Sequence, residues 1–119
     1  MEDWRMTLNN KEKELYRIVD VVVRCCATEI EDGEPSIRRE DVLGKSRAEN
    51  LVMTRCILAS QILHAGYSVT TVAGLLRRSV PAVRNMLRMD RNYYDTSRAY
   101  RIASAEATLL CRDVEPRGV

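Results

Sequence analysis

Apolar residues recur at steps of three and four between Leu15 and Ile30, which places them on one face of a helix. Asn9 can cap this helix, because Glu12 at its third position completes the pattern of a capping box. The stretch at 31–35 holds three acidic residues, a glycine and a proline, and it ends the element. We therefore predict a first helix over residues 9–30, followed by a loop.

The same periodicity predicts helices further along the chain, separated by residues that cap or break a helix. Gly66 follows one of them and suits the left-handed conformation just past a helix end. Three further helical segments are predicted at 39–44, 48–65 and 97–112, before a tail at 113–119. The apolar positions assigned to the last of these helices are Ile102, Ala103, Leu109 and Leu110.

Residues 68–91 read SVTTVAGLLRRSVPAVRNMLRMDR, which is the pattern of two helices joined by a tight turn at Arg77 and Arg78. A serine before each helix can cap it. Ala73 supplies the small residue that lets the second helix cross the first closely, and Val83 faces inward from the second. This stretch predicts a helix-turn-helix.

The chain of 119 residues is long enough to bury one core and short enough to form one domain. Five or six helices with short connections and no convincing strand predict an all-α fold, a single compact bundle over residues 1–119 that contains the helix-turn-helix. No apolar run reaches the ~18 residues that cross a bilayer, and the first residues lack the apolar segment of a secretory signal. We expect a cytoplasmic protein without a membrane partner.

Positive charge is concentrated in the middle of the chain. Residues 1–34 hold 5 basic and 9 acidic groups, residues 38–101 hold 12 and 5, and residues 102–119 hold 2 and 3. All but one of the basic residues in the middle segment are arginine, whose planar fork suits phosphate and guanine. This distribution favours a surface that faces nucleic acid, with a solvated arginine-rich face as the alternative.

The second helix of a helix-turn-helix lies in the major groove, with its N-terminal part nearest the base edges. Arg84 and Arg88 could then pair with guanine. Asn85 could pair with adenine, and Val80 could touch a thymine methyl group. Ser79 and the free N–H groups at the helix start could hold a phosphate. The positions predicted to be exposed on this helix are Ser79, Val80, Pro81, Arg84, Asn85 and Arg88.

Two stretches of the chain share a frame with a known family: DVLGKSR at 41–47 and GYSVTTVAGLLRRSVPAV at 66–83, with Arg55 between them. Together they resemble the C-terminal DNA-binding domain of DnaA, the bacterial replication initiator, which has a Trp-repressor-like helical fold. The resemblance implies that Arg47 enters the minor groove from a basic loop and that Lys45 and Arg55 occupy further basic positions. With the turn included, the candidate DNA contacts are Lys45, Arg47, Arg55, Arg77, Arg78, Ser79, Val80, Pro81, Arg84, Asn85 and Arg88.

The resemblance fails at the motif by which that family reads its recognition box. The family has Arg-Asp-His-Thr-Thr-Val where this chain has RSVPAV at 78–83, so the aspartate, the histidine and both threonines are lost. We also expect no ATPase domain in a chain of this length. The resemblance therefore implies the DNA-binding scaffold with a changed reading surface. We predict a sequence-preferring binder of double-stranded DNA, acting as a stand-alone regulator or a replication-related accessory.

Other chemistry finds little support in the sequence. The chain has one histidine and four cysteines but no Cys-x-x-Cys, so we expect buried structural thiols, no metal site and no cofactor. Gly44-Lys45-Ser46 matches the end of a phosphate-binding P-loop, yet Arg39 stands where that motif requires glycine, and we expect no nucleotide ligand. No nucleophile and base have the spacing of a catalytic pair, and we do not expect an enzyme.

The alternative hypothesis is a protein-interaction module, such as an adaptor or an antitoxin-like partner, built on the same helical scaffold. Such a module would dock through the acidic first helix or through the region from Tyr93 to Tyr100. The sequence leaves open a homodimer as well as another protein partner.

Overall fold

The first helix begins with the predicted capping box. Asn9 Oδ1 accepts a hydrogen bond from the Glu12 amide at 2.8 Å, and the Glu12 carboxylate accepts one from the Asn9 amide at 3.1 Å. The computed structural model describes residues 9–29 and 37–113. Its six helices are α1 (Asn10–Glu29), α2 (Arg39–Val42), α3 (Glu49–His64), α4 (Val69–Leu76), α5 (Val80–Thr96) and α6 (Arg98–Asp113). No strand occurs in these two ranges, and the predicted all-α class is confirmed.

Parts of several predictions fall outside the described residues. They are Ile30 at the end of the predicted first helix, the loop at 31–35 and the tail from residue 114 onward.

Helix α3 lies at the centre and packs against all five other helices. Its side chains are buried on nearly every side, because a helix surrounded by neighbours has no face left for water. Its fully buried hydrophobic residues are Cys56, Ile57, Leu58, Ala59 and Ile62. Gly66 follows with φ of 100°, the left-handed conformation predicted for it. Within 9–29 and 37–113, none of the helices combines the length and the apolarity needed to cross a membrane.

Helices α4 and α5 are joined by the turn 77–79, and both predicted serine caps are present. Ser68 Oγ accepts from the Thr71 amide, and Ser79 Oγ accepts from the Ala82 amide, each at 3.2 Å. Arg77 adopts the left-handed conformation, with φ of 55° and ψ of 47°. Many turns of this kind carry a glycine there, and the arginine takes up the same backbone shape. Ala73 is buried where the two helices meet.

Helix α5 is longer than predicted. It continues through Asp95 to Thr96 instead of ending at Arg91. Asp95 and Thr96 therefore belong to this helix, and only Ser97 caps the next one, its Oγ accepting from the Tyr100 amide at 3.1 Å. Asp95 and Thr96 are exposed on this continuous helix, so their polar character reflects contact with water and not a helix boundary.

Of the four apolar positions assigned to the last helix, only Ala103 is buried. Ile102, Leu109 and Leu110 are exposed, and Leu109 retains 58% of its accessible surface. The buried face instead carries small side chains and one large one: Tyr100, Ala103, Ser104 and Ala107. These positions repeat at steps of three and four, as a helix face requires. The small side chains favour close packing of α6 on its neighbours, chiefly α1. Tyr100, Ser104 and Ala107 were not among the apolar positions assigned from the sequence.

Candidate nucleic-acid interface

A groove of about 720 Å³ runs between the basic loop (residues 43–48, between α2 and α3), the turn 77–79 and one side of α5. Ten residues line it: Lys45, Arg47, Val52, Arg55, Arg77, Arg78, Ala82, Asn85, Met86 and Met89. Six of these were predicted as DNA contacts from the sequence. Three separate parts of the chain thus bring five cationic side chains to one place, which we call the basic groove.

Arg55 is nevertheless part of the scaffold. Its side chain rises from α3 under the basic loop and keeps 3% of its accessible surface. Nε donates to the Val42 carbonyl at 2.7 Å, and Nη1 donates to the Ser46 carbonyl at 2.6 Å. Nη2 donates to the carbonyls of Asp41 and Gly44 at 3.0 and 3.1 Å. Its donors bond four backbone oxygens, which gives Arg55 a structural role under the basic loop, and the contact of Arg55 with DNA stays a prediction.

Arg78 makes a similar connection from the other side. It is half-buried, and it donates to the Leu76 carbonyl at 2.7 Å and to the Gly44 carbonyl at 2.9 Å. The Leu76 oxygen is one of the carbonyls left without a partner at the end of a helix. Gly44 therefore accepts from both guanidiniums. Burial lowers the pKa of Arg55, and the neighbouring charge of Arg78 lowers it further.

Position 44 has little room for a side chain. A Cβ atom there would lie 3.0 Å from the Glu40 carbonyl oxygen, closer than nearly all real contacts of this type. Glycine allows the loop to turn tightly against the end of α2, and this turn presents the Gly44 carbonyl to Arg55 and Arg78.

The remaining cations of the interface are exposed: Lys45, Arg47, Arg77, Arg84 and Arg88. None of them forms an ion pair with a carboxylate in the part of the chain that the structure describes. Arg88 Nη1 donates to Asn85 Oδ1 at 3.0 Å, so these two predicted base contacts are neighbours on the surface of α5. The cluster brings positive charges together without ion-pair partners among the described residues, an arrangement that attracts a polyanion.

The first turn of α5 differs in part from its predicted role. Ser79 and Pro81 are exposed, but the Ser79 hydroxyl is already engaged as the helix cap. Val80 is half-buried and packs against the core, which leaves it less surface for a thymine methyl group than predicted. None of these three residues lines the basic groove.

The groove also has an apolar base that was not predicted, and it consists of Val52, Ala82, Met86 and Met89. A signal was present, because positions 82, 85, 86 and 89 share one side of a helix at steps of one, three and four. Met86 is half-buried, and it both packs against the core and lines the groove.

The cysteines of the chain are mostly buried. Cys25, Cys26 and Cys56 are buried as expected, while Cys111 is half-buried. Burial raises the pKa of both Cys26 and Cys56 to about 12, so these thiols remain protonated at neutral pH. A cysteine nucleophile requires the opposite shift. Across residues 9–29 and 37–113, no three histidine, cysteine, aspartate or glutamate side chains are grouped to hold a metal ion.

No protein-family model, curated protein or solved structure matches the chain. The resemblance to the initiator's DNA-binding domain therefore stays a prediction from the sequence, and the case for function depends on the geometry of the basic groove and of α5.

Proposed function

We propose that this chain is a sequence-preferring, double-stranded-DNA-binding protein that uses α4 and α5 as a helix-turn-helix, with α5 as its reading helix. One observation carries the proposal: five cationic side chains from the basic loop, α3 and the turn converge on one groove beside α5. The exposed members have no carboxylate partner among the described residues. A phosphate backbone would supply the missing negative charge.

The geometry of α5 suits a major groove. An α-helix with its side chains is about 10–12 Å across, close to the roughly 12 Å width of the B-DNA major groove. Arg84, Asn85 and Arg88 are exposed together on the first half of this helix. An asparagine amide can bond adenine through both its atoms, and an arginine can bond guanine in the same manner. These three residues are therefore proposed to read bases.

The basic loop is proposed to contact the backbone or the minor groove beside the site. Lys45 and Arg47 are exposed on it, at the edge of the same groove as Asn85. Arg77 stands at the turn between α4 and α5 and adds a third exposed cation. Contacts of this kind position a protein on DNA without reading its sequence. The role that follows is a cytoplasmic regulator or a replication-related accessory protein.

Selection of bound sequences from a random duplex pool tests the proposal. We expect the full chain to enrich a short motif, and Arg84→Ala or Asn85→Ala to broaden that motif at one position. Arg47→Gln should weaken binding to every sequence alike, because it removes a backbone contact. Arg112→Gln is the matched control, since it removes an exposed arginine from α6, outside the groove. If random duplexes bind no better to the chain than to albumin at low salt, the proposal is wrong.

A second candidate function is protein binding, and the exposed apolar side chains of α6 favour it. Ile102, Leu109 and Leu110 lie on its outer side, and Tyr94 of α5 is also exposed. The region first considered for docking is less suitable, because Tyr100 is fully buried and stacks on Tyr93 at 5.1 Å between ring centroids. A partner would bind α6 instead. Ile102→Ser with Leu109→Ser should abolish such a complex and leave duplex binding unchanged.

A further inference from the structure

The backbone of the basic loop is held by two guanidiniums that approach from different helices. Arg55 comes from the centre of α3 and bonds four carbonyls around the loop. Arg78 comes from the turn 77–79 and bonds the Leu76 carbonyl at the end of α4. Both donate to the Gly44 oxygen, which lies between them. Residues 44 and 78 are far apart in sequence, so this shared oxygen joins two independent segments.

We propose that Arg78 is a positioning residue for DNA binding, which fixes the basic loop against the start of α5 by its hydrogen bonds to Leu76 and Gly44. The proposal depends on the proposed function, because it concerns how the two contacting elements act together. The loop carries Lys45 and Arg47, and α5 carries Arg84 and Asn85. If the separation of the basic loop and α5 is fixed, both elements can bind one duplex without a further loss of conformational entropy.

The chemistry of arginine suits this task. Its planar fork offers several N–H donors in a fixed geometry, so one side chain can bond two carbonyls in different directions. A lysine has a single ammonium centre and does not reproduce that fork. The half-buried position of Arg78 also distinguishes it from the fully exposed Arg77 beside it.

The positive charges of Arg55 and Arg78 at the Gly44 carbonyl should make the loop connection sensitive to a bound anion. Arg55 and Arg78 carry like charges at one carbonyl oxygen, and no carboxylate in the described ranges pairs with either of them. Burial lowers the pKa of Arg55 most, and the mutual repulsion of the two charges lowers it further. A phosphate at the rim of the groove would offset this repulsion, so DNA binding and the loop connection should reinforce each other.

A double-mutant cycle between Arg78→Gln and Arg47→Gln tests the proposal, with duplex affinity as the readout. Arg47→Gln alone should reduce affinity about tenfold, in line with the loss of a phosphate contact at low salt. In the Arg78→Gln variant, adding Arg47→Gln should reduce duplex affinity by less than about threefold, because the basic loop is no longer held in position beside α5. Equal fold-losses in both backgrounds would overturn the proposal and make Arg78 an independent contact.

Arg78→Lys separates positioning from simple charge. A direct phosphate contact would tolerate lysine, whereas the connection to Leu76 and Gly44 would not. We therefore expect Arg78→Lys to behave like Arg78→Gln, and wild-type affinity in Arg78→Lys would contradict the proposal.

Hydrogen exchange gives a readout that needs no DNA. The amides of Gly44 and Ala48 donate to the Asp41 carbonyl and to Ser46 Oγ, each at 3.2 Å. Both amides should exchange faster in Arg78→Gln, while those of α3 and α6 stay protected, which shows that the variant is folded. Unchanged exchange in the loop would overturn the positioning role. A wild-type chain that fails to bind duplexes would overturn the proposed function separately, whatever the exchange result.

Discussion

The two ends of helix α5 are held by different chemistry. At its N-terminal end, the turn and the basic loop are joined by guanidiniums that donate to backbone carbonyls around Gly44. At its C-terminal end, Tyr93 stacks on the buried Tyr100, whose hydroxyl donates to the Asp90 carboxylate. The first arrangement leaves positive charge at the surface. The second shields the Tyr100 ring and, in part, the Asp90 carboxylate from water.

The difference shows that residue type alone does not assign a role. Arg55, Arg77 and Arg78 all line the same groove, yet one is buried, one is exposed and one is half-buried. Arg55 stabilises the loop, and Arg77 is available to a ligand. Arg78 is proposed to hold the loop in position for binding. Substitutions at the two ends should therefore separate stability from binding.

The largest effect is expected at Arg55. Arg55→Met removes the charged donor from four carbonyl oxygens, and methionine offers no replacement for those hydrogen bonds. Since hydrogen bonds to charged groups contribute about 1.5–3 kcal/mol each before relaxation, we expect a loss of roughly 3–5 kcal/mol in the free energy of unfolding. Urea denaturation followed by circular dichroism measures it.

Arg112→Gln is the control for this loss, because Arg112 is exposed on α6. It should change the free energy of unfolding by less than about 0.5 kcal/mol, as for most surface positions. A comparable small change in Arg55→Met would show that the loop does not depend on the buried guanidinium.

The next effect is expected at the other end of α5. Tyr100→Phe keeps the stacked ring but leaves the half-buried Asp90 carboxylate without its hydroxyl donor. We expect a loss of about 1–3 kcal/mol in the free energy of unfolding, the usual cost of a buried polar group without its partner. Duplex affinity should stay at the wild-type level, since Tyr100 lies outside the groove. A loss of duplex affinity in a folded Tyr100→Phe variant would contradict the view that the C-terminal end of α5 contributes to stability and not to binding.

Asp90 also predicts a pH dependence. Burial raises the pKa of Asp90 above its usual 3.8, despite the opposing effects of the Tyr100 hydrogen bond and the His64 charge. The folded state then binds this proton more tightly than the unfolded state. The resulting stabilisation is complete below pH 3.8 and is lost as the pH rises through the folded pKa.

Asp90→Asn isolates this contribution, because the amide cannot ionise and its oxygen still accepts from Tyr100. Relative to the wild type, this variant should gain stability as the pH rises from about 4 to about 7. Parallel stability curves for the two proteins would show that the carboxylate does not titrate differently on folding.

The smallest effect is expected at Arg77, where the choice of substitute should change stability but not binding. Glycine adopts the left-handed conformation without the steric cost borne by other residues, although it adds entropy to the unfolded chain. Arg77→Gly should therefore be about 0.5–1 kcal/mol more stable than Arg77→Ala. Both variants lack the exposed charge and should bind duplexes equally weakly. Equal stability of the two would mean that the turn relaxes out of the left-handed conformation.

Much of the fold could be predicted from local signals. The capping residues Asn9, Ser68 and Ser79 mark helix starts because the side-chain oxygen satisfies an amide within the next three residues. Such interactions are local in sequence, so a pattern is sufficient to find them. The continuation of α5 past Arg91 was missed, since polar residues such as Asp95 are found both in caps and on exposed helix faces.

The candidate site could be predicted only in part. The positions of Lys45, Arg47 and Arg77 in one groove agree with the concentration of charge in the middle of the chain. The internal role of Arg55 depends on carbonyls up to fourteen residues away, and its contact with Val42 is buried. No spacing rule reports which backbone oxygens a long side chain will meet. The exposed face of α6 was missed for a related reason, because burial there is set by packing against α1.

The salt dependence of duplex affinity tests the central claim most directly. With roughly three to five phosphate contacts from the exposed cations, a plot of log affinity against log salt should be linear with a slope of about −3 to −5. Arg47→Gln should move that slope toward zero by about 0.9, and Arg112→Gln should leave it unchanged. Absence of binding above an albumin control, or an equal change of slope in the two variants, would contradict DNA binding through the basic groove.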